Sequence, residues 1–435
     1  MTATTRTIQV DALARVEGEG ALTLRLRDGI VEAAELRIYE PPRFYEAFLR
    51  GRDAAETPDI TARICGICPV AYQMSAVHAV ERIYGLTMTP TLRVLRRLIY
   101  CGEWIESHVL HVFLLHAPDF VGQPGALEMA RARPEWASLV KTGLRIKKAG
   151  NSIVRAVGGR EVHPINVKVG GFYRLPRRTE LAALVPELTW AEQAVRDCLD
   201  WSTTLDYPEG DGAYDFVALR HPDEYPMNEG RLVSTSGLDA DVTEFDQHFA
   251  EQQVPHSNAL QARKRQDGGT YFVGPLARWN LNHDRLPAAI QAAARAVGLA
   301  PPVLNPFRSL GVRLLEVLYA FGEALRLIAA YEPEGPASLP VEPRAGTGHA
   351  ATEAPRGLLY HRYATDAAGH ILDAVIVPPT SQNQAQIEDD LRRLAPTFVD
   401  LPEEQATWRA EMLIRNYDPC ISCATHFLRL KVERS

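Results

Sequence analysis

Four of the six cysteines in this 435-residue chain fall in two C-x-x-C pairs, Cys65-Gly66-Ile67-Cys68 and Cys420-Ile421-Ser422-Cys423. A C-x-x-C turn lets two sulfurs face one ion, and thiolates suit soft or borderline metals such as zinc, nickel and the iron of iron–sulfur clusters. Zinc ribbons place their two pairs about 15–20 residues apart, whereas 355 positions separate Cys65 from Cys420. Spacing alone leaves a four-thiolate metal site and two unrelated pairs (structural zinc or redox dithiols) equally open. A site that uses both pairs requires a large folded core to bring the chain ends together. Cys101 and Cys198 fall within helical patterns and read as inert buried thiols. His108, His111 and His116 lie on one helical stretch. Two histidines at i and i+3 share a face, yet core hydrogen bonding is the favoured reading over metal ligation.

Composition narrows the field. Acidic residues exceed basic ones, 54 against 47, for a formal net charge of −7, which gives no support for a nucleic-acid binder. No stretch approaches 18 uninterrupted apolar residues, so no membrane span is expected. Met1–Val10 is polar and Thr-rich, without a signal core, so a soluble, cytoplasmic enzyme subunit is the expectation. Six cysteines do not make a disulfide scaffold; in a reducing compartment they point to metal or catalysis. There is no G-x-G-x-x-G or Walker motif, hence no nucleotide site, and no further cysteine cluster for an electron relay.

The elements that must hold these residues read as mainly α with small β elements (α+β). Residues 21–39 form a β-hairpin, with Leu22, Leu24 and Leu26 alternating before an Asp28-Gly29 turn and Leu36 and Ile38 after it. From Thr91 to about Ala117 apolar residues recur at helical spacing, and further helices are expected at 180–205, 286–297, 312–331, 384–394 and 403–416. Residues 207–284 read as loops and short strands over a helical core. Residues 332–348 read as a loop, and strands return at 358–363 and 371–377. No repeat or linker divides the chain, so residues 1–435 are expected to form a single large catalytic domain.

The residues around the cysteines carry a resemblance. Arg63-Ile64-Cys65-Gly66-Ile67-Cys68 and Asp418-Pro419-Cys420-Ile421-Ser422-Cys423-Ala424-Thr425-His426 resemble the two signature motifs of the nickel–iron hydrogenase large (catalytic) subunit. Arg15-Val16-Glu17-Gly18 resembles its N-terminal motif, and Glu353-Ala354-Pro355-Arg356-Gly357 its active-site arginine segment. The motifs run in register from residue 15 to residue 426, so the resemblance covers essentially the whole chain. Pro378-Pro379-Thr380, His256-Ser257-Asn258-Ala259 and the compact length look most like the cytoplasmic, NAD(P)-linked branch, sulfhydrogenase-type enzymes included.

The resemblance implies reversible heterolytic cleavage of H2 at a Ni–Fe centre whose iron carries CO and cyanide. Cys65, Cys68, Cys420 and Cys423 would hold nickel, with Cys68 and Cys423 also bridging to iron. Cys420 would accept the first proton and Glu17 the next, against the plain reading of Glu17 as a surface carboxylate beside Glu19. Arg356 would present its guanidinium to the centre, with Pro355 and Thr380 also at the iron's ligands; the plain reading is an ordinary salt bridge. Asp418 would orient Arg356, or simply form an Asp-Pro turn. Glu46 and His426 would bind Mg2+ (or Fe2+). Three positions depart from the family pattern: Tyr72 stands where a histidine is common, Pro379 where a Ser/Thr donor is usual, and Ser107 in place of a carboxylate. The implied partners are an iron–sulfur small subunit, flavin/NAD(P)-binding diaphorase-type subunits, nickel-insertion proteins and a maturation endopeptidase. That endopeptidase would remove Phe427–Ser435, otherwise a permanent basic tail. The rival readings are an H2-sensing subunit, a non-catalytic structural homologue and a zinc scaffold.

Overall fold

A computed structural model describes residues 5–425; His426 and the tail after it lie outside the described residues. Strand β1 (Thr5–Val10) pairs antiparallel with β2 (Gly20–Arg27), which pairs with β3 (Ile30–Ile38). Asp28 and Gly29 both take positive φ, 50° and 78°, giving the two-residue turn whose twist matches the strands. Leu22, Leu24 and Leu36 point into the core. The hairpin is therefore as expected, with β1 added at its edge.

The helical core follows from α1 (Tyr45–Leu49), α2 (Pro69–Tyr84), α3 (Pro90–Val109), α4 (Pro134–Gly158) and α5 (Val185–Ser202). It continues through α6 (Pro275–Asn282) and α7 (Ser309–Ala330). Proline at the first helical position sets φ for entry into several of these, α2, α3 and α4 among them. Helix α3 runs on into a π-helical stretch, Leu110–His116, and then a short α segment, Ala117–Phe120, so the single helix expected to Ala117 changes pitch in its last turns. Helices α3 and α4 cross closely because Gly102 faces Gly150: a Cβ on Gly102 would lie 2.9 Å from the Gly150 carbonyl oxygen.

Both expected strands are present, the first lengthened at each end and the second with the expected bounds. A three-stranded antiparallel sheet comprises β4 (Gly346–Ala354), β5 (Gly357–Thr365) and β6 (Ile371–Val377). Strand β4 begins inside the stretch read as a loop. The described residues end with α8 (Pro379–Phe398), α9 (Glu403–Asn416) and the short α10 (Ile421–Ala424). Residues 207–284 do contain short strands, such as Val217–Arg220 and Arg231–Ser234, but close on α6. One continuous apolar cluster reaches from Ile8 to Cys423 and contains all four paired cysteines. Among the described residues no helix is long and apolar enough to cross a membrane.

Candidate metal centre

The two C-x-x-C pairs meet. Cys65 Sγ lies 3.5 Å from Cys420 Sγ and Cys68 Sγ 4.0 Å from Cys423 Sγ, and all four sulfurs fall within 4.8 Å of one another. None forms a disulfide, and all are buried. Hydrogen bonds from the Cys420 and Cys423 thiols hold Cys65 well below the usual thiol range. Burial pushes Cys420 and Cys423 up. Four soft donors packed this closely, away from water, fit a single thiophilic ion.

Each pair sits at an element junction. Cys68 caps α2, whose first N–H groups would be orphaned in the interior. The buried Glu103 on α3 accepts from Val70 N at 2.6 Å and Ala71 N at 2.9 Å, and burial raises its carboxyl well above the ordinary range. The second pair follows α9 through Asp418, which takes φ 53°. Thr380, in the first turn of α8, accepts from Cys420 N at 3.0 Å. Pro379 opens that helix and carries no donor of its own.

Glu17 reaches the cluster from the N-terminal segment. Its Oε2 is 3.0 Å from Cys420 Sγ and accepts from Ser422 N, while its carbonyl accepts from Ile421 N. It is half-buried, with one side toward solvent. The surface-carboxylate alternative does not describe this position.

Arg356 stands at the tip of the β4–β5 hairpin. Its Nε donates to the Asp418 carbonyl at 2.8 Å and its Nη2 to Asp418 Oδ1 at 3.0 Å, with Nη1 3.3 Å from Ser107 Oγ. Ser107 thus meets the guanidinium where a carboxylate is common. Burial raises the Asp418 carboxyl against the pull of Arg356 and Arg313. Behind the tip, the fully buried Arg278 bonds Glu316 and Glu353 and the carbonyls of Ala354 and Pro355. Gly274 allows this approach: at φ 120° it carries no Cβ, which would lie 2.7 Å from the Arg356 carbonyl oxygen.

The histidines are core residues, as expected. His108 bonds Glu316, His111 the Arg415 carbonyl, and His116 both Asp119 and Asn416. Burial lowers all three, His108 to about 4. Cys101 and Cys198 are buried apart from the cluster, with burial pushing Cys198 up to about 12. Tyr72 is buried against Cys423 and Cys68, whose sulfurs add to burial in raising its phenol well above the usual range. Glu46 accepts from Ile376 N at 2.7 Å; its expected partner His426 lies outside the described residues.

Sequence reasoning missed Arg43, Glu103 and Arg278, charged residues whose partners lie far along the chain. A second group of potential ligands, His221, Glu224 and Glu229, also gathers within 4.8 Å. There Arg93 pairs with both carboxylates at 2.7 Å and Arg97 with Glu224 at 3.1 Å, so guanidinium groups already supply the positive charge.

The comparisons agree with this geometry. Residues 43–142 match a model of the nickel-dependent hydrogenase family. The sulfhydrogenase 2 alpha subunit of Pyrococcus furiosus is 32% identical over 97% of this chain and 100% of its own length. The beta subunit of the NAD-reducing hydrogenase HoxS of Cupriavidus necator is 27% identical over 97% of this chain and 95% of its own. The crystal structure of an NAD+-reducing [NiFe]-hydrogenase in the H2-reduced state superposes with a TM-score of 0.87 at 28% identity, covering 98% of this chain and 100% of that one.

Proposed function

This chain belongs to the nickel-dependent hydrogenase family as a catalytic large subunit, and from that premise we propose how its residues work and where its electrons go. The observation that carries the proposal is the four-sulfur cluster flanked by Glu17 on one side and Arg356 on the other.

Cys65, Cys68, Cys420 and Cys423 would hold the nickel of a Ni–Fe centre, Cys68 and Cys423 also serving the iron. Pro355, Arg356 and Thr380 would accommodate the CO and cyanide ligands of that iron. When bound, the Ni–Fe centre supplies the polarising site at which H2 is split heterolytically. The chain's own task is then to move a proton and hold charge. Cys420 takes the proton on sulfur, and Glu17, in contact with that sulfur and half-open to solvent, carries it outward. Arg356 keeps a fixed positive charge beside the sulfurs, oriented by Asp418. Tyr72 would take the place of the usual histidine, its phenol lying beside the sulfurs of Cys423 and Cys68. Glu46 and His426 would bind Mg2+ or Fe2+, the hard carboxylate oxygen suiting magnesium.

Electrons pass to an iron–sulfur small subunit and onward to flavin and NAD(P)-binding subunits in a cytoplasmic complex, a reading supported by the NAD-reducing relative. Nickel-insertion proteins and an endopeptidase mature the chain, the latter removing Phe427–Ser435. Intact mass of active enzyme tests that step: the polypeptide is expected to end at His426, and one still ending at Ser435 refutes processing. Infrared spectra of the purified complex test the centre. Carbonyl and cyanide bands are expected, and their absence from a matured, nickel-replete sample overturns the assignment and returns a zinc scaffold to the front.

A further inference from the structure

One side chain touches both cysteine loops. Arg43 Nη2 donates to the Ile64 carbonyl at 2.6 Å, immediately before Cys65, and also to the Ser422 carbonyl between Cys420 and Cys423. The Arg43 backbone N–H donates to the Thr425 carbonyl at 2.6 Å. The same short segment adds a further tie, Tyr45 Oη to the Arg63 carbonyl at 2.9 Å.

The local backbone is set for this. Phe44, which precedes α1, takes φ 57° and ψ 28°, a left-handed conformation uncommon for a bulky residue. Its ring is left largely exposed. Strain of this kind persists only where surrounding contacts over-determine it, and here it turns Arg43 inward while α1 continues along β6. Ile64 and Ser422 are far apart in the chain: Ile64 ends a single 3-10 turn, and Ser422 lies in the one-turn α10, where its carbonyl also accepts from Thr425 Oγ1 at 3.3 Å. A planar guanidinium with several fixed donors can bond two such carbonyls at once, and a lysine cannot do so in the same geometry.

We propose that Arg43 is a latch, a positioning residue that ties the C-terminal cysteine loop to the N-terminal one and governs how long the closed site retains its metal. It acts through the Ile64 and Ser422 carbonyls, which hold the two loops in register. The proposal rests on the metal-centre reading above.

The test uses the purified, matured complex. Wild type, Arg43→Ala and Arg43→Lys are incubated with EDTA under anaerobic conditions, and nickel lost from the protein is followed over time by elemental analysis. Two charge-assisted hydrogen bonds are removed, so Arg43→Ala is expected to release nickel about tenfold faster or more. Arg43→Lys should fall between the two. The thermal midpoint of each complex is recorded alongside, because a merely structural role would lower it without a matching rise in release rate. Equal release from wild type and both variants overturns the latch. If Arg43→Ala fails to accumulate, Arg43→Lys alone decides, and release at the wild-type rate from that variant overturns the proposal equally. A wild-type complex without nickel is a different result, one that sinks the metal-centre reading itself.

Discussion

The Glu17 carboxylate and the Cys420 sulfur lie 3.0 Å apart although 403 residues separate them in sequence. The contact is held on both sides: Glu17 forms an isolated parallel bridge with Cys420, and the Ile421 and Ser422 amides both donate to Glu17. A carboxylate fixed against a sulfur and half-open to solvent is placed to relay protons, and general acid–base transfer of this kind contributes about 100- to 10,000-fold to rate. Glu17→Gln keeps the size and the accepted amide hydrogen bonds but cannot shuttle a proton. H2 turnover and H/D exchange should fall at least about 100-fold, with nickel and iron content unchanged by elemental analysis. Unchanged turnover removes Glu17 from the route.

Arg356→Lys separates charge from shape. Lysine keeps a positive charge but loses the fork that bonds the Asp418 carbonyl, the Asp418 carboxylate and Ser107 together. Loss of one preorganised electrostatic partner costs about 100- to 1,000-fold in turnover. The variant should retain its infrared bands with a shifted cyanide frequency. Wild-type turnover would show that charge alone suffices.

What the sequence made legible is what residue type and short-range spacing encode. The Asp28-Gly29 turn announces its hairpin, and the two cysteine pairs with Glu17, Arg356 and Asp418 announce a site through their flanking residues. Helix α4 stayed hidden because Gly143, Gly150 and Gly158 lower its intrinsic propensity; they are tolerated where α3 and the π-helical stretch after it pack against that face. Helix α2 shows no polar stripe because nearly all of it is buried. Strand β4 is built from small residues of low strand propensity and is held by its neighbours, with Thr352 bonding Ser75 and Tyr100. Arg43, Glu103 and Arg278 look like surface charges in a one-dimensional reading. Only the fold supplies their partners, which make the burial of Glu103 and Arg278 tolerable and fix the half-buried Arg43.

Glu106 gives the protein a pH-dependent stability. Burial, opposed by Lys147 at 2.8 Å, raises its carboxyl to about 7, whereas an unfolded glutamate titrates near pH 4.3. Between those values the folded chain keeps a proton that the unfolded chain has released. Stability therefore falls as pH rises through that window, by up to about 1.4 kcal/mol per pH unit. Below pH 4 both states are protonated and the contribution vanishes. Glu106→Gln should show a urea midpoint close to wild type at pH 4.5 and a relative gain at pH 7.5. A difference independent of pH assigns the effect to packing instead.

Arg278 is the point where stability and site geometry coincide. Its guanidinium is fully buried, lies 4.4 Å from the Trp104 ring centroid and is shared between Glu316 and Glu353. Glu316 also receives Tyr225 Oη and pairs with His108. Arg278→Ala would leave two buried carboxylates without their cation and two hairpin carbonyls without a donor. Breaking one side of such a pair costs about 3–5 kcal/mol, so the variant should unfold at markedly lower denaturant concentration. Arg278→Lys restores the charge but not the four-way donation that fixes Ala354 and Pro355 ahead of Arg356. It should recover much of the denaturation midpoint while turnover stays below wild type, because the tip carrying Arg356 is no longer held. Recovery of both together would mean that Arg278 supplies charge alone and that the position of Arg356 is set elsewhere.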